Sequence, residues 1–462
     1  MEDVRYHFSG IAGAGVNPLA RLMRARGHHV QGSDRSFDQG KSRDVADELR
    51  ALGIDVRPQD GRALTAELDR FVFSVAVEAD TPEMRRAREL QLELVARPAL
   101  LAEIINAGHP SVAVAGTSGK STITGMVAWL VRESGMAATV LGGAALAGER
   151  GIGCLVAGPE GGPVIAEACE SDGTLVGYLP AVGLIHNISR DHGEVETLRA
   201  QFTAFAKNCA KLLVNAACPE AIGIGRALHG VSYGIAPDAG ARLDVATAGP
   251  HRARGTLHAP AGSLALDVPQ PGVHNLENAA AAALIALELG MRPPAIEAAL
   301  ARFPGVARRF QVVGTTASGI RVIDDYAHNG EKIRAAVTTA QAGARRVLAI
   351  FQPHGFGPAR FLRPELRALI PRLLRHDDRF CYAEIFYGGG TVARDISSRM
   401  LADDLPRELG VACAENHDAV VRWVVNEARA GDTVLLMGAR DPDLPRLAQQ
   451  IFRALESRPV TS

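Results

Sequence analysis

The stretch Val112-Ala-Val-Ala-Gly-Thr-Ser-Gly-Lys-Ser-Thr122 constrains this chain more than any other part of it. An apolar strand-like run, a glycine-bounded loop and a helix start follow one another there. In that layout the backbone N–H groups of Gly116, Thr117, Ser118, Gly119 and Lys120 converge on phosphate oxygens, and the positive end of the helix favours the anion. Lys120 then reaches the β- and γ-phosphates, and Ser121, followed by Thr122, presents a hydroxyl to Mg²⁺. Ile123, Met126, Val127, Leu130 and Val131 recur at helical spacing until Gly135 stops them. The loop departs from the full Walker pattern, because Val114 stands where the first glycine belongs. The competing reading is an ordinary tight strand–helix turn.

A chain of 462 residues has room for two to four domains on length alone. Its 50 Lys and Arg nearly balance its 51 Asp and Glu, which argues against nucleic acid or an anionic membrane as the main partner. No apolar run is long enough to span a bilayer and no secretory signal opens the chain, so a cytoplasmic enzyme is expected. The six cysteines are scattered without a CxxC pair, as expected of reduced thiols. Strand patterns alternating with helical ones predict parallel, doubly wound sheets. Three segments separate: one built around Val4–Phe8 and His29–Gly32, ending at the linker Gly108-His-Pro110; one opened by the phosphate loop; and one with strands near Ile320–Ile323, Val347–Phe351 and Thr433–Met437. Between Ala236 and Pro271 the alternation in Leu243–Ala246 and Ser263–Val268 predicts an antiparallel excursion.

Several clusters carry chemistry. The turn Gly10-Ile-Ala-Gly-Ala-Gly15 approximates the dinucleotide fingerprint, with Ala12 in place of a glycine and Asp34 at the distance of a ribose-binding acid. Glu167-Ala-Cys-Glu-Ser-Asp172 and Asn187-Ile-Ser-Arg-Asp-His192 each follow an apolar run, at the strand ends where open parallel sheets bind ligands. Glu170 with Ser121 suits a hard cation, and His192 shares that rim. Asn275 and Asn278 fall one turn apart at the head of an alanine-rich helix, where carboxamides match an adenine edge or, alternatively, cap the helix. Arg308-Arg309-Phe310 and Asp324-Asp-Tyr-Ala-His-Asn329 bracket the next boundary, suited to phosphate or carboxylate binding or to a solvated ion-paired face.

Together these motifs resemble the Mur ligases, ATP-dependent enzymes that form amide bonds in peptidoglycan precursor synthesis. The resemblance spans nearly the whole chain in order. It includes His7-Phe-Ser-Gly-Ile-Ala-Gly-Ala-Gly15, Gly32-Ser-Asp34, Phe73-Ser-Val-Ala and Thr81-Pro-Glu83. It continues through the phosphate loop, Glu170-Ser-Asp172, Asp191-His192, His274-Asn275 with Asn278, Arg308-Arg-Phe310, Asp325-Tyr-Ala-His328 and Phe351-Gln-Pro-His354. It implies three mostly parallel, Rossmann-like α/β domains: residues 1–108 for a UDP-sugar, 109–313 as the central P-loop ATP domain, and 314–462 for the incoming amine and completion of the ATP site. The implied reaction joins the carboxylate of UDP-N-acetylmuramate to L-alanine through an acyl phosphate, in a monomer or homodimer.

By the same resemblance Lys120, Glu170, His192, Asp325 and His328 serve catalysis, and Ser121, Glu170 and His192 hold Mg²⁺. The loop from Gly116 to Thr122, with Asn275, Asn278, Arg309 and Asp325, binds ATP. Gly10, Ala12, Gly13, Ala14, Gly15, Asp34, Arg308, His354 and Arg360 contact substrates. Domain closure about residues 107–110 and the junction after Phe310 is implied; some members also carry a carbamylated lysine, and Lys207, though a suitable distance after His192, is not assigned to that place.

After His354 the alanine-adding branch usually carries an arginine-containing stretch, where this chain has Gly355-Phe-Gly-Pro and then Arg360. Ile385-Phe-Tyr-Gly-Gly-Gly390 and Asn329-Gly330 also differ from the family pattern. A peptide acceptor, as in the tripeptide-recycling branch, therefore stays open. From other classes, a nicotinamide-dependent oxidoreductase would rest on the first turn alone, and a non-catalytic nucleotide-binding relative would have to leave Lys120, Ser121, Glu170 and His192 idle.

Overall fold

The computed structural model describes residues 3–74, 77–78, 80–149, 153–170, 174–189, 195–387 and 392–458. They form two compact units, one comprising the chain up to Ala248 with Arg252–Val306, the other Gly249–His251 with the chain from Ala307 onward. Three α/β sheets account for both units, as the alternation of strand and helix patterns predicts.

The first unit holds two sheets. In the N-terminal one, five parallel strands run in the spatial order Asp55–Arg57, His29–Ser33, Arg5–Ser9, Arg70–Phe73, Glu93–Ala96. The second has ten strands and is centred on Ser111–Ala115, whose five residues are all buried. Near-continuous apolar runs of this kind are what a strand covered on both faces requires. Val182–Ile185, Lys211–Asn215 and Val231–Gly234 lie to one side of it, Val164–Glu167 and Thr139–Leu141 to the other, all parallel. The expected antiparallel excursion is a meander of Ala241–Ala248, Ala253–Ala259 and Gly262–Val268 at the sheet's edge. Its last two strands show the in–out alternation of a half-covered sheet.

Strand order reverses beside Ser111–Ala115: the chain first builds outward on one side, then returns to build on the other. Ligands of open α/β sheets sit at the carboxyl ends of the strands flanking such a reversal. Three loops meet there, after Ala115, Glu167 and Ile185. The helix Lys120–Ser134 packs against the alanine-rich helix Val273–Glu288, whose residues Ala279 to Ala283 are fully buried. Small side chains let the two backbones approach closely, and helix Lys120–Ser134 ends at Gly135 in a left-handed turn, as its sequence predicts.

Helix Arg97–Ala107 joins the two sheets of this unit. Its Leu100, Leu101, Ile104 and Ile105 share one core with Ala113, Ala115 and Ile185. The connection at residues 108–110 is held as well, with the His109 amide donating to the Gly162 carbonyl at 3.1 Å.

The second unit has six strands in the order Gln311–Thr315, Arg321–Asp325, Thr433–Met437, Val347–Phe351, Arg379–Ala383, Ala412–Ala414. All pairs are parallel except the first, an edge strand that the sequence reading did not anticipate. Its mostly half-exposed residues carry little hydrophobic periodicity to mark it. Separate cores line the two faces of this sheet.

A buried polar cluster ties the N-terminal sheet together. His7 Nε2 lies 3.0 Å from Glu83 Oε1, and Ser9 Oγ donates to Glu83 Oε2 at 2.6 Å, with His7 and Glu83 essentially inaccessible to solvent. Burial works to raise the Glu83 pKa, but bonds and charge from His7, with Ser33 and Ser9, outweigh it and hold it below 4.5. A carboxyl with a depressed folded pKa stabilises the fold above its unfolded pKa and loses that contribution as pH falls through the folded value. Glu83→Ala should therefore lower stability at pH 7 by about 2–3 kcal/mol. Thermal unfolding followed across an acid pH series should show the gap between wild type and Glu83→Ala narrowing as the carboxyl protonates.

Candidate nucleotide site

The phosphate loop emerges from Ala115 and enters the helix at Lys120, with Gly119 as its left-handed N-cap at φ +81°. Gly119 is obligatory for a second reason. A Cβ there would stand 2.7 Å from His186 Cδ2 and 2.8 Å from Asn278 Oδ1, inside contact distance of both. Asn187, just past the end of the Val182–Ile185 strand, clamps the loop's outer half. Its Oδ1 accepts from the Ser118 amide at 2.8 Å and from Thr117 Oγ1 at 3.0 Å, and its Nδ2 donates to Ser118 Oγ at 2.7 Å. Its carbonyl accepts from the Thr117 amide at 3.1 Å. The sequence reading quoted Asn187 without giving it a role; a carboxamide at a strand end beside a phosphate loop is the signal that marks it.

Lys120 is buried, donating from Nζ to the Gly116 carbonyl and to Glu170 Oε2, the latter at 2.8 Å. Burial opposes its charge, but the Glu170 carboxylate, with Cys169 and Glu167, outweighs that and raises its pKa. The ammonium is therefore charged and aimed into the loop. Ser121 Oγ, grouped with Glu170 in the sequence reading, has a different carboxylate in reach. It donates instead to Glu167, 3.0 Å from Oε2 and 3.2 Å from Oε1, and the Gly143 amide holds that carboxylate at 2.8 Å. Glu167 sits at the strand end and points across to the neighbouring strand's loop. Glu170, three residues farther, has turned towards Lys120. Among the described residues no three His, Cys, Asp or Glu side chains cluster as a metal site. His192, the third ligand expected from sequence, lies outside the described residues, as do Asp191 and Asp172. Ser121 and Glu167 are an all-oxygen pair and fit a hard cation.

Asn275 and Asn278 stand on the first turns of helix Val273–Glu288, and Asn275 does not cap it: Gly272 holds that position. Asn275 Nδ2 donates to the Pro271 carbonyl at 2.8 Å, and Asn278 Nδ2 donates to Asn275 Oδ1 at 3.2 Å. Asn278 Oδ1 is left as a buried acceptor with no hydrogen-bond partner. An acceptor in that state fits the exocyclic amine of a base. Nearby, His186 is pushed down to about 4 by burial, with a smaller contribution from His274, and is neutral.

The turn at Gly10–Gly15 follows strand Arg5–Ser9. Asp34 accepts from the Ala12 amide at 3.0 Å and from the Ser36 amide and hydroxyl at 2.9 and 2.7 Å. Both its oxygens accept local bonds, because an Asp at an N-cap competes for nearby backbone amides. The Gly13 amide bonds the Gly10 carbonyl at 3.0 Å, which leaves Ala14 and Gly15 as the forward part of the turn. The Arg97 side chain lies over Gly15, its Nε 3.5 Å from where a Cβ would stand, and supplies a cation that the sequence reading missed.

Lys207 lies on the far side of the sheet. It closes helix Val195–Lys207 and lines a groove of about 430 Å³ with His109, Ser111 and Ala181, where the strands begin. A lysine at that pole is remote from the loops at the carboxyl ends, which disposes of it as a metal-holding residue.

In the second unit Asp325 Oδ2 accepts from the Phe310 amide and Oδ1 from the Ala327 amide, both at 2.7 Å. Burial raises its pKa against these bonds and the Arg309 charge. Its carboxylate fixes the backbone where Arg308 and Phe310 take left-handed φ of 58° and 50°. That geometry gives it a structural task beside the catalytic role expected. Arg308 donates to the Gly438 and Ala439 carbonyls at 2.7 and 3.0 Å and pairs with Asp324, so its guanidinium is tied to the sheet's end. Burial pushes the Asp324 pKa up to about 6, with Arg308 opposing. Arg309 stacks over the Tyr326 ring at 4.5 Å. His328 and His354 meet edge to face, 5.3 Å between ring centres. Arg360 is tied to Asp395 and to the Ala393 carbonyl.

A phosphate loop with a charged lysine, a serine–carboxylate pair and carboxamides at the reversal of a parallel sheet defines a P-loop nucleotide-using enzyme. Similarity to known proteins makes the class specific. The chain matches the models for the Mur ligase family catalytic domain at residues 5–109, the Mur ligase middle domain at 114–286, and the Mur ligase glutamate ligase domain at 308–440. A UDP-N-acetylmuramate–L-alanine ligase of Arthrobacter sp. is 36% identical over 93% of this chain and 90% of its own length. The ligase of the same name from Caulobacter vibrioides is 33% identical over 94% and 93%. Among solved structures, UDP-N-acetylmuramate-alanine ligase MurC of Thermotoga maritima superposes with a TM-score of 0.78 at 25% identity, covering 98% of this chain and 99% of that one. A murein peptide ligase of Psychrobacter arcticus shares the fold, with a TM-score of 0.68 at 21% identity over 99% and 100%. The chain belongs to the Mur ligase family of ATP-dependent amide-forming enzymes.

Removing the Asn187 clamp should loosen the cradle without touching the reacting groups. Asn187→Ala is expected to raise the Kd for ATP about tenfold, equivalent to ~1.4 kcal/mol, by freeing Ser118 and Thr117. Calorimetric titration with ATP checks this, and an unchanged Kd would show that the loop holds its shape unaided.

Proposed function

We propose that this chain joins the carboxylate of UDP-N-acetylmuramate to L-alanine, using ATP. The observation that carries the proposal is Lys120 at the head of the phosphate loop, charged and bracketed by Glu170 and Gly116, in a chain about a third identical to ligases of that name along almost its full length. A carboxylate does not acylate an amine in neutral water and must first be activated. A carboxylate oxygen of the sugar attacks the γ-phosphorus of ATP, ADP leaves, and an acyl phosphate forms. The amine then attacks the acyl carbon, gives up a proton, and phosphate departs. Lys120 stabilises the charge gathering on the transferring phosphoryl oxygens.

The loop from Gly116 to Thr122 cradles the phosphates in this reading, and Asn275 and Asn278 meet the adenine. Ser121 and Glu167 hold Mg²⁺, which neutralises phosphate charge when bound; Glu170 keeps Lys120 charged and oriented. Gly10 to Gly15 with Arg97 receive the diphosphate of the sugar nucleotide. Residues 1–108, 109–313 and 314–462 divide as UDP-sugar, ATP and amine domains, with Arg309, Asp325, His328, His354 and Arg360 as the last domain's contribution. A peptide acceptor is the second reading, and the Gly355 segment is what favours it: the acceptor domain departs from the alanine-adding pattern there. Reaction in the cytoplasm follows from where such nucleotide substrates occur. Consistent with this, none of the described helices is long and apolar enough to cross a membrane.

Phosphate release from ATP in the presence of UDP-N-acetylmuramate tests the proposal, with single amino acids and the stem tripeptide as acceptors. Release only with L-alanine, glycine or L-serine supports the first reading; release only with the tripeptide moves the acceptor to the second. Lys120→Ala should lower kcat/KM by roughly 3–4 kcal/mol of transition-state stabilisation. Glu167→Gln should raise the Mg²⁺ concentration needed for half-maximal rate far more than Glu170→Gln does, and the reverse order would return the metal to Glu170.

A further inference from the structure

His186 has no part in the chemistry above, yet it occupies the centre of the site. It follows the Val182–Ile185 strand directly, and its amide donates to the Ala115 carbonyl at 2.9 Å, pinning it to the strand that feeds the phosphate loop. The ring is buried and lies nearly parallel to that of Tyr233, 6.2 Å between centres. Its Nδ1 is 2.7 Å from the Tyr233 hydroxyl. Tyr233 is wholly buried, and burial raises its pKa well above the usual tyrosine value, so the hydroxyl keeps its hydrogen. A buried hydroxyl seeks an acceptor, and Nδ1 at 2.7 Å serves as one. With the hydroxyl donating to Nδ1, the ring hydrogen sits on Nε2.

The other edge of the ring faces Gly119. At the point where that glycine lacks a Cβ, His186 Cδ2 and Nε2 stand 2.7 and 3.1 Å away and Asn278 Oδ1 stands 2.8 Å away. Three elements thus meet over one absent methyl group: the N-cap of the phosphate loop, the imidazole, and the carboxamide whose oxygen has no partner. The phosphates of a nucleotide and its base are recognised by different elements of the chain, helix Lys120–Ser134 with its loop and helix Val273–Glu288. The distance between those recognitions must match the span of one nucleotide, and the His186 ring packs where the two meet, beside Asn278 at Gly119.

We propose that His186, oriented by Tyr233, is a positioning residue that sets the spacing between the phosphate loop at Gly119 and the base-recognising carboxamide of Asn278. The inference rests on the reading of this site as the ATP site and adds to it the residue that holds its two halves in register. A spacer of this kind favours ligands possessing both halves and is indifferent to ligands possessing one. Inorganic tripolyphosphate fills the phosphate half alone, which separates the spacing role from a general weakening of the loop.

The test is calorimetric titration of the full-length wild type, His186→Ala, His186→Phe and Tyr233→Phe with MgATP and, separately, with magnesium tripolyphosphate. Thermal unfolding confirms that each variant is folded. Tyr233→Phe removes one hydroxyl and keeps the ring stack, so it remains informative if the His186 variants fail to fold. His186→Ala and Tyr233→Phe are expected to weaken MgATP about tenfold and tripolyphosphate less than about twofold, with the KM for ATP rising more than kcat falls. His186→Phe, which restores the bulk without the polar edge, should recover part of the loss. Equal weakening of both ligands, or none of either, overturns the proposal. A wild type that binds tripolyphosphate but not ATP would refute the nucleotide reading itself, and the spacing role with it.

Discussion

Closeness of approach governs the central sheet. The strand Ser111–Ala115 is buried along its length, so its loop can meet ligand only where it leaves the sheet, and there it is hemmed in on both sides. Asn187 grips Thr117 and Ser118 from one neighbouring strand, while His186 and Asn278 crowd Gly119. A phosphate cradle works by holding several backbone N–H groups in fixed orientation before the anion arrives, so that ordering them is not charged against binding. The clamp supplies that order through neutral hydrogen bonds. It leaves Lys120 and the carboxylates of Glu167 and Glu170 to deal with charge.

The charges are arranged to divide labour. Lys120 and Glu170 form a buried pair, and a buried pair is weak evidence for stability because both ions lose water. Its value is elsewhere: Glu170 keeps the ammonium ionised and pointed into the loop against the pull of burial. Glu167 accepts from the Ser121 hydroxyl and so sets that serine beside a carboxylate at the strand end. Two glutamates three residues apart therefore do different things, one for a lysine and one for a serine.

That division marks the limit of what the sequence could reveal. The buried central strands, the phosphate loop, the alanine-rich helix and the antiparallel meander were legible because each leaves a periodic or local signal; the half-exposed edge strand Gln311–Thr315 leaves little. Which of Glu167 and Glu170 meets Ser121 leaves none, since the residues straddle a strand end where the period of two breaks down. Asp34 and Asp325 look like ligand-binding acids in sequence, and in the fold each is held by backbone amides at a turn, a competition decided by local geometry that composition does not record. Lys207, which the sequence reading left unassigned, is placed by the helix that carries it. Helix Val195–Lys207 runs back along the sheet for thirteen residues, roughly 20 Å of rise, and delivers its last residue to the opposite pole.

Gly355 shows how a departure from a family pattern can be physical and not merely lexical. It caps the helix Phe356–Leu373 at φ +146°, in the region that L side chains avoid. An arginine at that point, as the usual pattern places nearby, would be strained in this backbone. The nearest guanidinium lies one turn into the helix, on Arg360, and it is engaged with Asp395 and the Ala393 carbonyl. Arg394 in turn stacks on Tyr387, which meets Phe356 edge to face, so the segment before residue 396 is fastened to the head of this helix. Arg360 is thus held by a structural partner near the head of the helix whose cap Gly355 sets. A substitution acting on side chain alone would leave the acceptor region's shape intact; one that alters the cap of the helix reshapes the surface beside His354. The head of this helix is therefore shaped by Gly355 and by the Arg360–Asp395 tie together.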